Sequence, residues 1–345
     1  MLALIIFVAF FCLIEPVNSE QAMVSALDEV LRKGGFSASE IQQVQKGDMV
    51  KATAESTNER ELAVKFAFVI KAPPKDLREM FMTTTKTAEK DPSVTQSGLI
   101  TTGTLADFAD IRLEPNAKEM TKLYLNAAPG TVLNLSKQEI AAWKAIKRGD
   151  GDKHERERVE QHLQQVLLDR YITYTKGGLK GLLSYARSGD KVYDPGQELK
   201  LKTEKSEILK NESPTFHKHL LEYPNHRPEG LEESFSWVNY NIDEKPTVVL
   251  IHRMGLLEGG IYLFSERHFY VSRSHNSVQG IGGFCPVEDG TLVAYISRTS
   301  TDQVAGFGSS AKRSIGARIM GGAVAKNFER VRTVEAKRSM EKLEL

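Results

Sequence analysis

Pro246-Thr-Val-Val-Leu-Ile-His252, Gly260-Ile-Tyr-Leu-Phe-Ser265 and, after one Glu, Arg267-His-Phe-Tyr-Val-Ser-Arg273 are β-branched and aromatic runs that read as strands. Downstream, Ser277 to Cys285 contains Gly280, Gly282 and Gly283 and suits a kinked or bulged strand. Asp289-Gly290 then turns the chain into Thr291-Leu-Val-Ala-Tyr-Ile-Ser297. The order is that of an antiparallel meander. After Val304-Ala-Gly-Phe-Gly308, Ser309 or Ser310 can cap a helix, and Ala311, Ile315, Ile319, Ala323, Phe328 and Val331 return at helical spacing. That apolar stripe is expected to lie on the sheet.

A further strand of the same sheet comes from far upstream. In Glu61-Leu-Ala-Val-Lys-Phe-Ala-Phe-Val-Ile-Lys71 the residues Leu62, Val64, Phe66, Phe68 and Ile70 alternate with smaller or charged ones, the pattern of a half-buried strand. Ala72-Pro-Pro-Lys-Asp-Leu-Arg-Glu-Met-Phe81 follows, where the prolines stop the strand and open a short helix.

A strand ending Ile70-Lys-Ala-Pro73, an immediate helix, a late meander and a long closing helix resemble the START/Bet v 1-like helix-grip superfamily. The resemblance implies an α+β fold: a curved antiparallel sheet gripping the C-terminal helix, with an apolar ligand held between them. It covers Lys51 to Phe81 and Leu231 to Arg332, and leaves about 82–230 as a large, mostly helical insertion. Glu61-Leu-Ala-Val, Ile70-Lys-Ala-Pro73, Tyr223-Pro-x-x-Arg-Pro228 and Trp237 also resemble a group of uncharacterised bacterial secreted proteins, from which no activity carries over.

Residues 2–14 are an apolar run too short for a comfortable transmembrane helix, and Val17-Asn-Ser19 offers small residues for cleavage. Residues 1–19 therefore read as a signal peptide, with export to the periplasm or beyond; the usual basic residues before the run are missing. Phe10-Phe11 ahead of Cys12 does not resemble a lipobox. Cleavage leaves Cys285 as the one cysteine of the mature chain, which excludes an internal disulfide. Residues 20–48 read as a helical hairpin, with Gly34-Gly35 ending the first helix and Ser37-Ala-Ser-Glu40 forming a capping box for the second. Residues 49–334 form the helix-grip domain and 335–345 a charged tail.

The insertion shows a second capping box at Ser136-Lys-Gln-Glu139 and a long helix through Val159, Leu163, Val166, Leu167 and Tyr171. Its charged approach, Lys147 to Arg158, reads as an exposed loop.

With 46 basic and 45 acidic residues, the formal charge of the 345-residue chain is +1, which gives no footprint for nucleic acid. Lys312, Arg313, Arg318, Lys326, Arg330 and Arg332 read as the solvated outer face of the last helix, a face that also suits transient contact with a membrane surface. His217, His219 and His226 are the most metal-like group, but on a helix the first two point about 200° apart, so they read as surface or cap histidines. Cys285 follows an apolar segment and reads as a structural thiol. Gly280-Ile-Gly-Gly283 and Gly306-Phe-Gly308 match no nucleotide fingerprint. No cofactor or metal is expected.

Candidate ligand-binding residues on the late strands and closing helix are Trp237, Tyr240, His252, Tyr262, Tyr270, Arg273, Tyr295, Arg298, Ile319 and Ala323. Apolar walls with one or two cationic anchors suit an acyl body with an anionic head. The leading expectation is a carrier or binder of a lipid or other apolar small molecule. The alternative is a hydrolase or cyclase-like enzyme on the same scaffold, with His252 or His268 as general base. A histidine hydrogen-bonded to a carboxylate inside the cavity would favour the enzyme, and a cavity without paired titratable groups the carrier.

Overall fold

The computed structural model describes residues 28–83, 91–148, 152–288, 290–306, 308, 311–322, 325–326 and 329–330. Residues 1–19, expected to be a signal peptide, Ser309, Ser310, Ala323, Phe328, Val331 and residues 335–345 lie outside them. Within the described residues the chain is α+β, built on one large antiparallel sheet. Its eight strands are β1 (Val50–Thr53), β2 (Glu61–Ile70), β3 (Val94–Leu99), β6 (Glu232–Ile242), β7 (Lys245–Glu258), β8 (Ile261–Val271), β9 (Ser277–Val287) and β10 (Gly290–Ser300). They lie in the order β1-β2-β10-β9-β8-β7-β6-β3. The meander is therefore consecutive, and β2 closes it by pairing with β10, as in Phe68 opposite Val293.

β2 is buried on both faces, not one. Leu62, Val64, Phe66, Phe68 and Ile70 pack in one cluster, while Ala67 joins another on the opposite side. Lys65 is accommodated there by Glu40, 3.1 Å away, and by the ring of Phe36. The alternation correctly separates the faces but says nothing of what covers each.

β9 keeps continuous register with both neighbours, so its glycines mark no bulge. They let aromatic rings lie on the strand. A Cβ built at Gly282 would fall 2.6 Å from Phe264 Cζ, and one at Gly280 2.7 Å from Tyr295 Cε2. At the β3–β6 edge Gly98 makes the same room for Trp237, at 2.7 Å. The irregularity lies one strand over: the β7–β8 register shifts between Leu250 and Ile251, which face Tyr270 and His268 and leave Phe269 as the extra residue.

The insertion supplies an edge strand as well as helices, since β3 pairs with β6. Its helices α3 (Ala117–Leu125), α4 (Lys137–Lys144), α5 (Asp152–Gly177), α6 (Pro195–Glu204), α7 (Glu207–Glu212) and α8 (Pro214–Glu222) accompany a small hairpin, β4 (Tyr185–Ala186) with β5 (Val192–Tyr193). Trp143, Leu163, Tyr174, Leu199 and Phe216 form one core with Leu250, Phe269 and Tyr270 of the sheet. The charged stretch read as a loop is already helix from Asp152. Lys153–Glu157 and Arg156–Glu160 pair at i,i+4, which turns charge density into helix support.

Both capping boxes form. Ser37 Oγ accepts from the Glu40 amide at 3.3 Å, and Ser136 Oγ from that of Glu139 at 3.2 Å. The first opens α1 (Ala38–Gln45), whose Ile41 and Val44 pack with Leu31 and Phe36 against Ala67 and Leu292. The opposite face of the sheet carries α2 (Pro74–Met82) and the closing helix, α9, over residues 311–322.

The stripe by which α9 rests on the sheet differs from expectation. Ile315 and Ile319 are 62% and 69% exposed, whereas Ala317 is buried. Cβ atoms built at Gly316 and Gly321 would meet Leu62 and Val64 at 3.1 Å, so the helix approaches through its smallest residues. Hydrophobic periodicity weights isoleucine heavily and glycine not at all. Here close approach sets the face.

Candidate ligand-binding cavity

Side chains of one sheet face, with α2 and α9 above them, line a half-open cavity of about 690 Å³. That is within the range of small-molecule sites. Strand alternation decides its lining: Phe264, Glu266 and His268 from β8, Val293, Tyr295, Ser297 and Thr299 from β10, Val238 and Tyr240 from β6, Arg253 from β7. Leu77, Met80 and Phe81 come from α2, and Gly316, Ile319 and Met320 from α9. One region is strongly apolar, with Phe264 4.5 Å from Phe81 and 4.6 Å from Phe284, centroid to centroid.

The polar region is organised by Glu266. Arg253 Nε donates to Glu266 Oε2 at 2.7 Å, and His268 Nε2 lies 3.2 Å from Oε1. Burial alone would raise the Glu266 carboxyl; the Arg253 charge and the His268 hydrogen bond outweigh it and hold the group well below the usual range. His275 stands beside His268, with centroids 6.1 Å apart, and burial pushes it down to about 3. His268 Nδ1 and His275 Nε2 are buried and make no hydrogen bond.

Known families, curated proteins and solved structures offer no match to this chain.

The sequence candidates divide between the faces. Tyr240, Tyr295 and Ile319 line the cavity, and Tyr262 packs on the same face with Phe264 and Phe284, its hydroxyl 2.9 Å from Glu232. Trp237 points the other way and donates to the Asp107 carbonyl at 2.7 Å. Tyr270 is in the insertion core because the extra residue Phe269 inverts the alternation that began at Tyr262. Arg298 pairs with Glu61, and Arg273 donates to the Ile242 carbonyl at 2.9 Å, so neither is a cationic anchor in the cavity. Ala323 lies outside the described residues.

His252 is a core histidine. Its Nε2 lies 3.1 Å from Glu233 and its Nδ1 2.9 Å from the Tyr174 hydroxyl, which accepts from Arg267 at 3.1 Å. Arg267 also bonds Gln279 at 2.9 Å and the Leu220 carbonyl at 2.8 Å. A neutral imidazole protonated at Nε2 satisfies both contacts, and burial pushes the ring down to about 4 despite Glu233. Both nitrogens are engaged within the core, and the ring is not part of the cavity lining.

Arg253, Glu266, His268 and His275 were not among the ligand-binding candidates, although two carried a signal, and His268 entered only as a general base of the enzyme alternative. Alternation from Tyr262 places Glu266 and His268 on its face; selecting aromatics and arginines by type passed over them. Arg253 was hidden by its neighbour His252, which faces the other core.

His217 and His219 are buried, not at the surface. Each has its own carbonyl, Thr203 at 3.0 Å and Asn225 at 2.7 Å, while His226 pairs with Glu222 at 2.9 Å. Among the described residues no group of three or more His, Cys, Asp or Glu is placed to hold a metal ion. Cys285 packs on the α1 side, and burial raises its thiol.

Proposed function

We propose that this protein binds or carries a lipid or other apolar small molecule on a START-like helix-grip scaffold. The observation that carries the reading is the cavity of about 690 Å³ between one face of the sheet and the α2 and α9 helices. Its lining joins an apolar region at Phe81, Phe264 and Phe284 to a polar one at Arg253, Glu266 and His268. Such a lining favours an amphiphile over a fully polar metabolite. Export behind a cleaved signal peptide, and transient membrane contact through the basic face of α9, belong to the same proposal. Among the described residues no helix is long and apolar enough to cross a membrane.

The test uses Met80→Trp, which places an indole in the cavity from α2. Wild type should bind the apolar fluorophore N-phenylnaphthylamine, and the variant should stay folded while losing it. Absence of wild-type binding, or of any co-purifying ligand in native mass spectra of protein from its own host, would remove the reading.

A second reading, a hydrolase or cyclase-like enzyme with His268 as base, is favoured by the His268–Glu266 hydrogen bond inside the cavity. Against it, the other ring nitrogen, Nδ1, is sealed from the cavity, so the histidine has no open position towards a substrate. Hydrolysis of p-nitrophenyl esters by wild type that disappears in His268→Gln would reinstate the enzyme.

A further inference from the structure

Resting on the cavity reading above, we infer that the bound molecule is an uncharged amphiphile of single-chain or compact ring size, its head a hydroxyl, carbonyl or amide, in place of the anionic head expected from sequence. The argument starts from charge. An anionic head needs a cation whose charge is not already matched. Arg273 and Arg298, the expected anchors, are committed elsewhere. Arg253 does reach the cavity, but it is bound to Glu266 at 2.7 Å, and Glu266 is also hydrogen-bonded by His268. A second anion at Arg253 would meet a carboxylate already in place.

The wider lining points the same way. Glu266 is matched by Arg253 and Asp91 by Arg330, 4.0 Å away, while Asp243 is exposed in the turn between β6 and β7. Pairing of this kind leaves no unmatched charge for a charged head of either sign. The remaining polar lining is neutral: Tyr240, Ser297, Thr299 and Thr301 present hydroxyls, and Gln303 an amide. These groups recognise a head that exchanges hydrogen bonds without a charge.

Size narrows the class further. At about 30 Å³ per water-sized unit, a cavity of about 690 Å³ holds on the order of twenty non-hydrogen atoms. That matches one long chain or a small fused-ring skeleton.

The full exported chain is tested by displacing N-phenylnaphthylamine with oleyl alcohol, oleate and oleylamine, three probes that share a tail and differ in the charge of the head. Oleyl alcohol should displace the fluorophore at a concentration about tenfold lower than either charged analogue, the scale of one lost polar interaction. Equal or better displacement by oleate or oleylamine overturns the inference while leaving the cavity reading standing. Failure of N-phenylnaphthylamine itself to bind removes both. Glu266→Gln should unmask Arg253 and improve oleate selectively; an unchanged ranking in a folded Glu266→Gln variant counts against the inference. Should that variant not fold, the wild-type ranking decides alone.

Discussion

Gly280→Ala tests whether the β9 glycines exist to seat aromatic rings. The added methyl would fall 2.7 Å from Tyr295 Cε2 and 2.9 Å from Cζ, and against the hydroxyl, so the ring must lift off the strand into the cavity. Overpacking of this kind costs about 1–3 kcal/mol. Against it stands about 0.4–1 kcal/mol from restricting the unfolded chain. The net expectation is a loss of about 1–2 kcal/mol, read as a lower urea midpoint at unchanged slope. In a Tyr295→Ala background the obstacle is gone, and the same change should be neutral or slightly stabilising. The double-mutant cycle should then return a coupling of about 1–3 kcal/mol, the overpacking cost itself. An equal cost in both backgrounds would refute the seating argument and return these glycines to a backbone role.

Acid should weaken the fold before its carboxylates titrate. His252 falls from 6.5 to about 4 and His275 from 6.5 to about 3. The unfolded chain therefore takes up these protons first, so the stability they carry is full above about pH 6.5 and declines towards the folded values. Urea midpoints should show about 2 kcal/mol lost per histidine between about pH 7 and about pH 5; a flat profile would contradict the burial of both rings. Removing His252 by His252→Ala should cost about 3 kcal/mol, because Tyr174, Glu233 and Arg267 lose the group that joins them. Calorimetry giving under about 1 kcal/mol would mean that the network carries little stability. Chelator treatment should leave the melting temperature unchanged, given the separate partners of His217, His219 and His226. N-terminal sequencing of exported protein should begin near Glu20; an intact Met1 in a membrane fraction would replace the signal peptide with an anchor.

Much of the sheet was legible because strand signals are local. The runs beginning at Glu61, Pro246, Gly260 and Thr291 carry β-branched or aromatic residues, and each is a strand. The capping boxes were legible for the same reason. What could not be read depends on contacts distant in sequence. Val94–Leu99 is Thr- and Ser-rich with a glycine, and becomes a strand because β6 offers an edge with Trp237 lying over Gly98. The face of α9 is set by how near Gly316 and Gly321 come to β2, a property of the pair of elements. For the site, alternation held along β10, where Val293, Tyr295 and Ser297 share the cavity. On β8 it failed at a single residue, for which Arg267-His-Phe-Tyr-Val carries no mark.

That extra residue, Phe269, makes β8 a strand of two frames. Up to His268 its even-numbered side chains serve the cavity; beyond it Tyr270 belongs with Phe269 in the core of the insertion, and Val271 takes the cavity side among Val238, Val249 and Ile251. Deletion at this position should therefore act unlike deletion elsewhere in the sheet. Removing residue 269 sets Tyr270 directly after His268, still on the insertion side and opposite Leu250, with Val271 still on the cavity side, so the loss is confined to the Phe269 ring stacked on Tyr174. In a library of single-residue deletions residue 269 should be more forgiving than its paired neighbours in β8, where a deletion moves side chains to the wrong face.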